Sequence, residues 1–485
     1  MPNAVAYLML LIWPAVCLVL FRTQKVERAI VWSILGGYLL LPPLAEFNLP
    51  LVPAMDKVSI PNLSVLAILV FATAHQVRLW PESRIARVLV VLFIFGAIPT
   101  VLTNPEPIIF EVLRDADPIL FLVDALPGQS VRDIGSVLIG QALTIVPFLV
   151  ARQFLNSETG LRELLLALAV GATAYSVPSF LEMQVSPVVN IWVYGFFQHS
   201  FEQTIRAGGF RPIVFLPHGL WLALLVCTAA MAAATLARLA APVDRWKAVL
   251  WTVYLMVFLL ACKSAASIAY GMVLVPIVYL APRRWLILLA TLFALVAVTY
   301  PMLRNLHLIP TDEVVAKVAT VNPNRAQSLE YRFLNEEQLL ERAAEKPAFG
   351  WSGWGRSLVR DPETAEILTI PDGRWIIVFG SFGWLGYIAE FGLLALPLVL
   401  MGIYALRHRE AELSPYIGAV AMILGTTLLD MLLNATLTPF TWLTAGAVLG
   451  YVERVNPRKA AMPRHALRSR PVLGQKRDAA SRSIM

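Results

Sequence analysis

Apolar residues in this chain fall in long unbroken runs separated by brief polar stretches, a pattern unlike that of a water-facing strand or amphipathic helix. About thirteen runs can be delimited: 4–21, 29–45, 60–77, 88–104, 134–154, 162–183, 213–237, 246–262, 264–282, 285–302, 376–405, 414–436 and 437–453. Most approach the ~20 residues that a helix needs to cross the hydrocarbon core of a bilayer. The pattern predicts an all-α polytopic membrane protein of 12–13 transmembrane helices. The run 376–405 is long enough to tilt or protrude.

One hydrophilic insert, from about Arg304 to Arg374, breaks this rhythm. It divides the chain into ten helices over 1–302, a large loop over 303–375, three further helices over 376–455 and a polar tail over 456–485. Within the insert, 328–346 reads as a helix: Leu329, Phe333, Leu340 and Ala344 form a partial apolar stripe, and Pro347 stops it. Gly350-Trp351-Ser352-Gly353-Trp354-Gly355 follows as a loop. Its glycines permit tight backbone geometry, and Trp351 and Trp354 suit a membrane interface or the face of a sugar.

Composition agrees with a membrane protein. Of 485 residues, 58% are hydrophobic and 15% charged, where a soluble chain carries about a quarter charged. The basic residues give the orientation. Placing Arg22, Lys25 and Arg28 in the cytoplasm also places there, by alternation, Arg78 to Arg87, Arg152 and Arg162, Arg238 to Lys247, Arg283-Arg284, Arg407 with Arg409, and the tail. Every short inside loop is then basic, as the positive-inside rule requires, and the long insert is exempt from that rule. The expected topology is N-terminus out, insert out and C-terminus in. The first run has no basic segment before it and reads as an anchor, not a cleavable signal. Cys17, Cys227 and Cys262 all lie within runs, which excludes a disulfide framework or a CxxC metal site. Much of the net charge of +7 sits in the tail, which has no apolar periodicity and reads as a disordered, headgroup-binding segment. Nucleic acid is not an expected partner; membrane lipids are.

Three constellations could carry chemistry at the outer surface. Arg206, Arg211, Lys263 and Arg374 are cations suited to a diphosphate: arginine donates paired hydrogen bonds from a planar fork and lysine adds a point charge. The alternative is that they bind lipid phosphate or pair with Glu202 and Asp372. Asp372 could act as a general base near a low-dielectric boundary, or simply form an Asp-Gly turn. Glu390 and Asp430 lie inside runs and read as polar residues satisfied between helices. His199, His218 and His307 lack metal spacing, and His218, after Pro217, reads as a helix-end residue. No P-loop, dinucleotide fingerprint or GxSxG elbow occurs, so neither a cofactor nor a metal is expected.

Four stretches, in order, give the chain a resemblance to the O-antigen ligase and O-antigen polymerase superfamily. Arg206-Ala-Gly-Gly-Phe-Arg211-Pro, followed by Leu216-Pro217-His218, resembles the family's R-x-x-G-x-F…P-N. Cys262-Lys263-Ser264-Ala265 resembles S-R-G-A. Arg332 followed by Pro347-Ala-Phe-Gly-Trp-Ser-Gly-Trp-Gly resembles R…P-L-x-G-x-G-x-G, and Ile388-Ala-Glu390-Phe-Gly392-Leu-Leu resembles E-x-G-L-L-G. The likeness covers roughly 200–440.

The resemblance implies a GT-C-like, metal-independent, inverting glycosyltransferase at the periplasmic face of a bacterial inner membrane. Its donor would be an undecaprenyl-diphosphate-linked glycan and its acceptor a glycan, lipid or protein. On that reading Arg206, Arg211 and Lys263 hold the diphosphate, Asp372, Arg374 and Arg332 form the catalytic group, Trp351 and Trp354 pack on sugar, and Glu390 and His218 support. Ligases of the family place His-Asn at the end of the large loop, where this chain has Asp372-Gly373-Arg374. A repeat-unit polymerase is the near alternative; a polysaccharide transporter or flippase, or a non-catalytic scaffold, is the alternative of another class.

Overall fold

The computed structural model describes residues 1–48, 53–113, 120–206, 208–306 and 308–456. Asp115, Asp117, Ala207, His307 and the tail from 457 onward, with its His465, lie outside them.

All thirteen apolar runs are helical, and nearly all regular structure is helix. The first group is α1 (Ala4–Thr23), α2 (Val26–Leu40), α3 (Ser59–Phe71), α4 (Arg84–Phe95) and α5 (Ala97–Leu102). A hairpin of β1 (Ile108–Leu113) and β2 (Leu120–Leu126) follows, then α6 (Val131–Phe154), α7 (Glu158–Gln184) and the short α8 (Val189–Tyr194). A two-residue ribbon, β3 (Ile205–Arg206) with β4 (Gly209–Phe210), precedes α9 (Gly219–Leu239), α10 (Arg245–Ala261), α11 (Ala265–Leu280) and α12 (Arg283–Asn305). The insert holds α13 (Thr311–Val321) and α14 (Pro323–Ala344). The chain closes with α15 (Arg374–Arg407), α16 (Ile417–Asp430) and α17 (Pro439–Val455). Among the described residues seven helices are long and apolar enough to cross a membrane by themselves, and α3, α11 and α16 are shorter apolar helices. The chain is a multi-pass membrane protein.

Lipid offers no hydrophobic drive for helix association, so the helices pack where small side chains let backbones approach. Gly446 and Gly450 on α17 form a GxxxG face against α6; a Cβ there would lie 2.1 and 2.0 Å from the carbonyl oxygens of Phe148 and Arg152. The alanine-rich α9 is buried among α7, α10 and α11. The short basic loops gather at one end, where they are tied by Arg28–Glu163 (2.9 Å) and Arg152–Glu453 (2.8 Å).

The insert caps the other end. Arg304, on the last turn of α12 and 4% exposed, pairs with Glu336 at 2.8 Å and Glu337 at 2.5 Å on α14. The helix expected over 328–346 begins earlier, at Pro323, and ends at Ala344, three residues before Pro347. Two elements were not expected. Helix α13 lies in a stretch with little apolar periodicity, and residues 105–133, between the fourth and fifth apolar runs, contain the β1–β2 hairpin. The hairpin's strands are only six and seven residues long and lie inside apolar stretches, where period-two alternation is easily missed.

The run 376–405 is one long helix with a break. Gly383 has φ 62° and ψ −161°, a region that only glycine occupies readily. The broken turn pairs with the Gly/Trp loop through main-chain bonds: Trp351 N–H to Gly380 O (2.8 Å), Ser352 N–H to Ser381 O (2.8 Å), and Trp384 N–H to Pro347 O (2.8 Å). A break within a buried helix is tolerated where protein satisfies the freed polar groups, as here. Gly350, also left-handed at φ +71°, faces the break so closely that a Cβ would sit 2.5 Å from Phe382 N. At Gly383 a Cβ would lie 2.5 Å from the Ala348 carbonyl carbon. Gly383→Ala should therefore lose roughly 1–3 kcal/mol from backbone conformation alone, with more from that overlap. Gly353→Ala, with open space around its Cβ position, should be silent. Thermal unfolding of both variants in detergent, followed by tryptophan fluorescence, checks the contrast.

Candidate functional site

A single buried carboxylate shapes the segment that carries the first cations. Glu182, at the end of α7 and 1% exposed, accepts hydrogen bonds from the backbone N–H groups of Val189 (3.1 Å), Ile213 (2.8 Å) and Val214 (2.9 Å). The Tyr175 hydroxyl accepts from Phe215 N–H, and the buried Lys57 ammonium donates to Phe215 O, each at 2.9 Å. These bonds hold the chain from α8 to α9 against the bundle. The β3–β4 ribbon turns through Gly208 at φ +70° and sets Arg206 at its exposed tip and Arg211 in the buried layer beneath.

The α10–α11 turn meets this segment reciprocally. Lys263 adopts a left-handed φ of 52°, its ammonium donates to Arg206 O (3.0 Å), and its carbonyl accepts from Arg211 Nη2 (3.0 Å). Arg206, Arg211 and Lys263, distant in sequence, thus share one knot of backbone and charge. His218 caps α9, its Nδ1 accepting from Leu220 N–H at 2.9 Å, which leaves the ring proton on Nε2. Its ring lies edge-on to His199, 4.3 Å between centroids, and Gln203 Oε1 is 3.4 Å from Nε2. Burial first, then His199, Arg211, Arg206 and Arg332, push the His218 pKa down to about 3, so the ring is a neutral donor at physiological pH.

Arg332, on α14, pairs with the other end of the insert. Its guanidinium lies 3.3 Å from Asp372 Oδ2. Asp372 is half-buried, and burial raises its carboxyl above the ordinary range while Arg332 opposes the rise. A crevice lined by Arg332, Asp372, Gly373 and Leu433 has a volume of about 10 Å³, enough for one water-sized sphere. A cation set on two fixed loops, a cation on the lid and a carboxylate of raised pKa beside it can neutralise an anionic leaving group and accept a proton.

The remaining candidates take other places. Arg374 is not an open catalytic cation: its Nε and Nη2 grip Glu390 in a two-pronged pair at 2.7 and 2.6 Å, across the break in α15. It is a positioning pair, because at membrane depth each charge needs the other. Asp430 accepts from Asn434 (3.0 Å) and Thr436 (2.7 Å) and shapes the turn whose Met431 carbonyl receives Arg374 N–H at 2.9 Å. Trp351 is not a sugar platform. It is 9% exposed, and its ring is covered by the Arg342 guanidinium 3.5 Å from the centroid and by the Lys346 ammonium at 4.5 Å. Trp354, 69% exposed, keeps an open face.

Sequence reasoning missed Glu182, Lys57 and Gln203. Glu182 gave a weak signal, an acidic residue near the end of an apolar run, where burial demands partners. Glu182→Gln turns one acceptor oxygen into a donor facing a backbone N–H. It should destabilise by about 1–3 kcal/mol, read as a lower unfolding temperature together with faster proteolysis between α8 and α9. No family model and no curated protein matches the chain, so its site rests on this geometry.

Proposed function

We propose that the protein is a GT-C-like glycosyltransferase that moves a glycan from an undecaprenyl-diphosphate carrier to an acceptor at the periplasmic face of a bacterial inner membrane. The observation that carries the reading is the joining of Lys263 to the Arg206–Arg211 loop, beside which the insert contributes an Arg332–Asp372 pair. In the reaction an acceptor hydroxyl oxygen attacks the anomeric carbon on the face opposite the diphosphate. The carbon–oxygen bond to the diphosphate breaks, its electrons leave with the lipid diphosphate, and Asp372 takes the hydroxyl proton. Arg206, Arg211 and Lys263 stabilise the departing charge, and the neutral His218 donates a hydrogen bond from Nε2. The leaving diphosphate supplies the driving force, so no nucleotide is needed. The narrow Arg332–Asp372 crevice requires α14 to shift as the sugar enters. A polymerase would run the same chemistry with a second lipid-linked glycan as acceptor.

The break in α15 favours a transporter, since interrupted helices build transporter sites. Here the chain's own Gly/Trp loop satisfies the broken turn, and Arg374 and Glu390 satisfy each other. That leaves the surface cluster as the better site.

The test is release of undecaprenyl diphosphate from a lipid-linked glycan by the purified protein in bilayers. Lys263→Gln and Asp372→Asn should each lower kcat/KM by about 10²-fold or more; full activity in both would overturn the assignment. A base must be ionised to act, so the rate should rise with pH through the Asp372 pKa, above the ordinary carboxylate range. Arg332 lowers that pKa. Arg332→Gln should therefore move the acid limb to higher pH, which a pH–rate profile reads directly.

A further inference from the structure

A second and larger cavity, of about 460 Å³, opens between the β1–β2 hairpin, the C-terminal half of α14 and residues 356–360. Its volume falls in the range of small-ligand sites. It is separate from the cationic cluster: Arg332 and Arg342 are ten residues apart on α14, roughly 15 Å along the helix.

Its lining is mixed in a particular way. Arg342, Arg356 and Arg360 supply donors, Glu341 and Glu345 supply acceptors, and Gln338 supplies both. Phe110, Leu126 and Leu358 add apolar wall. Arg356 is 2% exposed; its two Nη groups are spent on Pro127 O (2.8 Å) and Glu106 O (2.9 Å), which pin the hairpin, and its Nε is buried with no partner. The Nε of Arg360 is likewise buried and unpartnered, while its Nη1 binds Ala365 O at 2.9 Å and lies 3.7 Å from Asp124 Oδ2. Arg342 is paired with Glu345 at 2.7 Å. Arg342 and Arg360 each have a carboxylate beside them, Glu345 and Asp124, whereas the Arg356 guanidinium bonds main-chain carbonyls and no carboxylate neutralises it there. Burial and the neighbouring Arg342 push the Arg356 pKa below its ordinary value, so an added negative charge would relieve the site.

This chemistry selects a ligand class. An alkyl chain would strand the charged groups unsolvated. A bare inorganic anion would meet two carboxylates. A polyhydroxylated ligand presents a donor and an acceptor at each hydroxyl and lays its C–H face on apolar wall. We propose that this cavity binds a saccharide unit bearing one acidic group, resting on the glycan-transfer reading for its identity as part of the glycan or acceptor handled at the first site.

Calorimetric titration of the full-length protein in detergent tests it, with a disaccharide containing one galacturonic acid and with its methyl ester as neutral counterpart. The acid should bind about tenfold more tightly than the ester, the worth of one charge-assisted hydrogen bond. Gln338 is exposed on α14, so Gln338→Trp fills the cavity without disturbing the fold and should abolish binding of both. Arg360→Gln should reduce the preference for the acid, and Lys263→Gln should leave saccharide binding unchanged while lowering transfer. No binding by the wild type, or unchanged binding by Gln338→Trp, overturns the site; equal affinity for acid and ester overturns its acidic specificity. Saccharide binding by a protein that releases no undecaprenyl diphosphate would remove the transfer reading and leave this site standing.

Discussion

The break in α15 at Gly383 is the constraint on which the rest depends. A helix interrupted inside a packed bundle frees peptide groups that need protein partners. The Gly/Trp loop supplies their partners, and two glycines without side chains, Gly350 and Gly383, allow main chain to meet main chain. The loop is further held by α5 and by Asn104, two residues beyond its end: Thr100 donates to Phe349 O (2.7 Å) and Asn104 to Gly350 O (3.0 Å). With its C-terminal end seated this way, and its N-terminal end tied through Arg304 to Glu336, the insert is built onto the bundle at both ends. Helix α14 spans that frame, and so Arg332 has a defined place beside Asp372 at the start of α15.

Charge is handled in two ways that separate structure from chemistry. Where a charged group is buried, a partner takes it up: Arg374 with Glu390, Arg304 with Glu336, Glu182 with three backbone N–H groups. Such groups hold shape, and removing one partner would strand the other in low dielectric. The ends of Arg206, Lys263 and Arg332 stand nearer the surface, Lys263 against the Arg206 carbonyl and Arg332 beside Asp372. A concentration of cations beside a carboxylate of raised pKa is costly for a fold and useful for an anionic substrate.

Much of this was legible in the chain. The apolar runs demanded helices, because lipid permits little else, and each run is helical, 88–104 as two helices. The insert announced itself by polarity, and its main helix by an apolar stripe closed by Pro347. The arginines and Lys263 could be picked out as surface cations. Their roles could not. Arg374 and Arg211 carry the same side chain, yet one closes a two-pronged pair across a helix break and the other bonds the Lys263 carbonyl; only the fold assigns which. Trp351 looked free to stack on a sugar until Arg342, nine residues earlier, proved to lie on its face.

The sequence by itself determined the medium, the helices and the kinds of charge available, since these follow from side-chain transfer free energies that act locally. Tertiary structure decided which charges meet, where the insert docks and where cavities open. Those outcomes turn on close approach between segments such as 206–211 and 263, or 332 and 372, and no local pattern encodes a distance between residues so far apart in the chain.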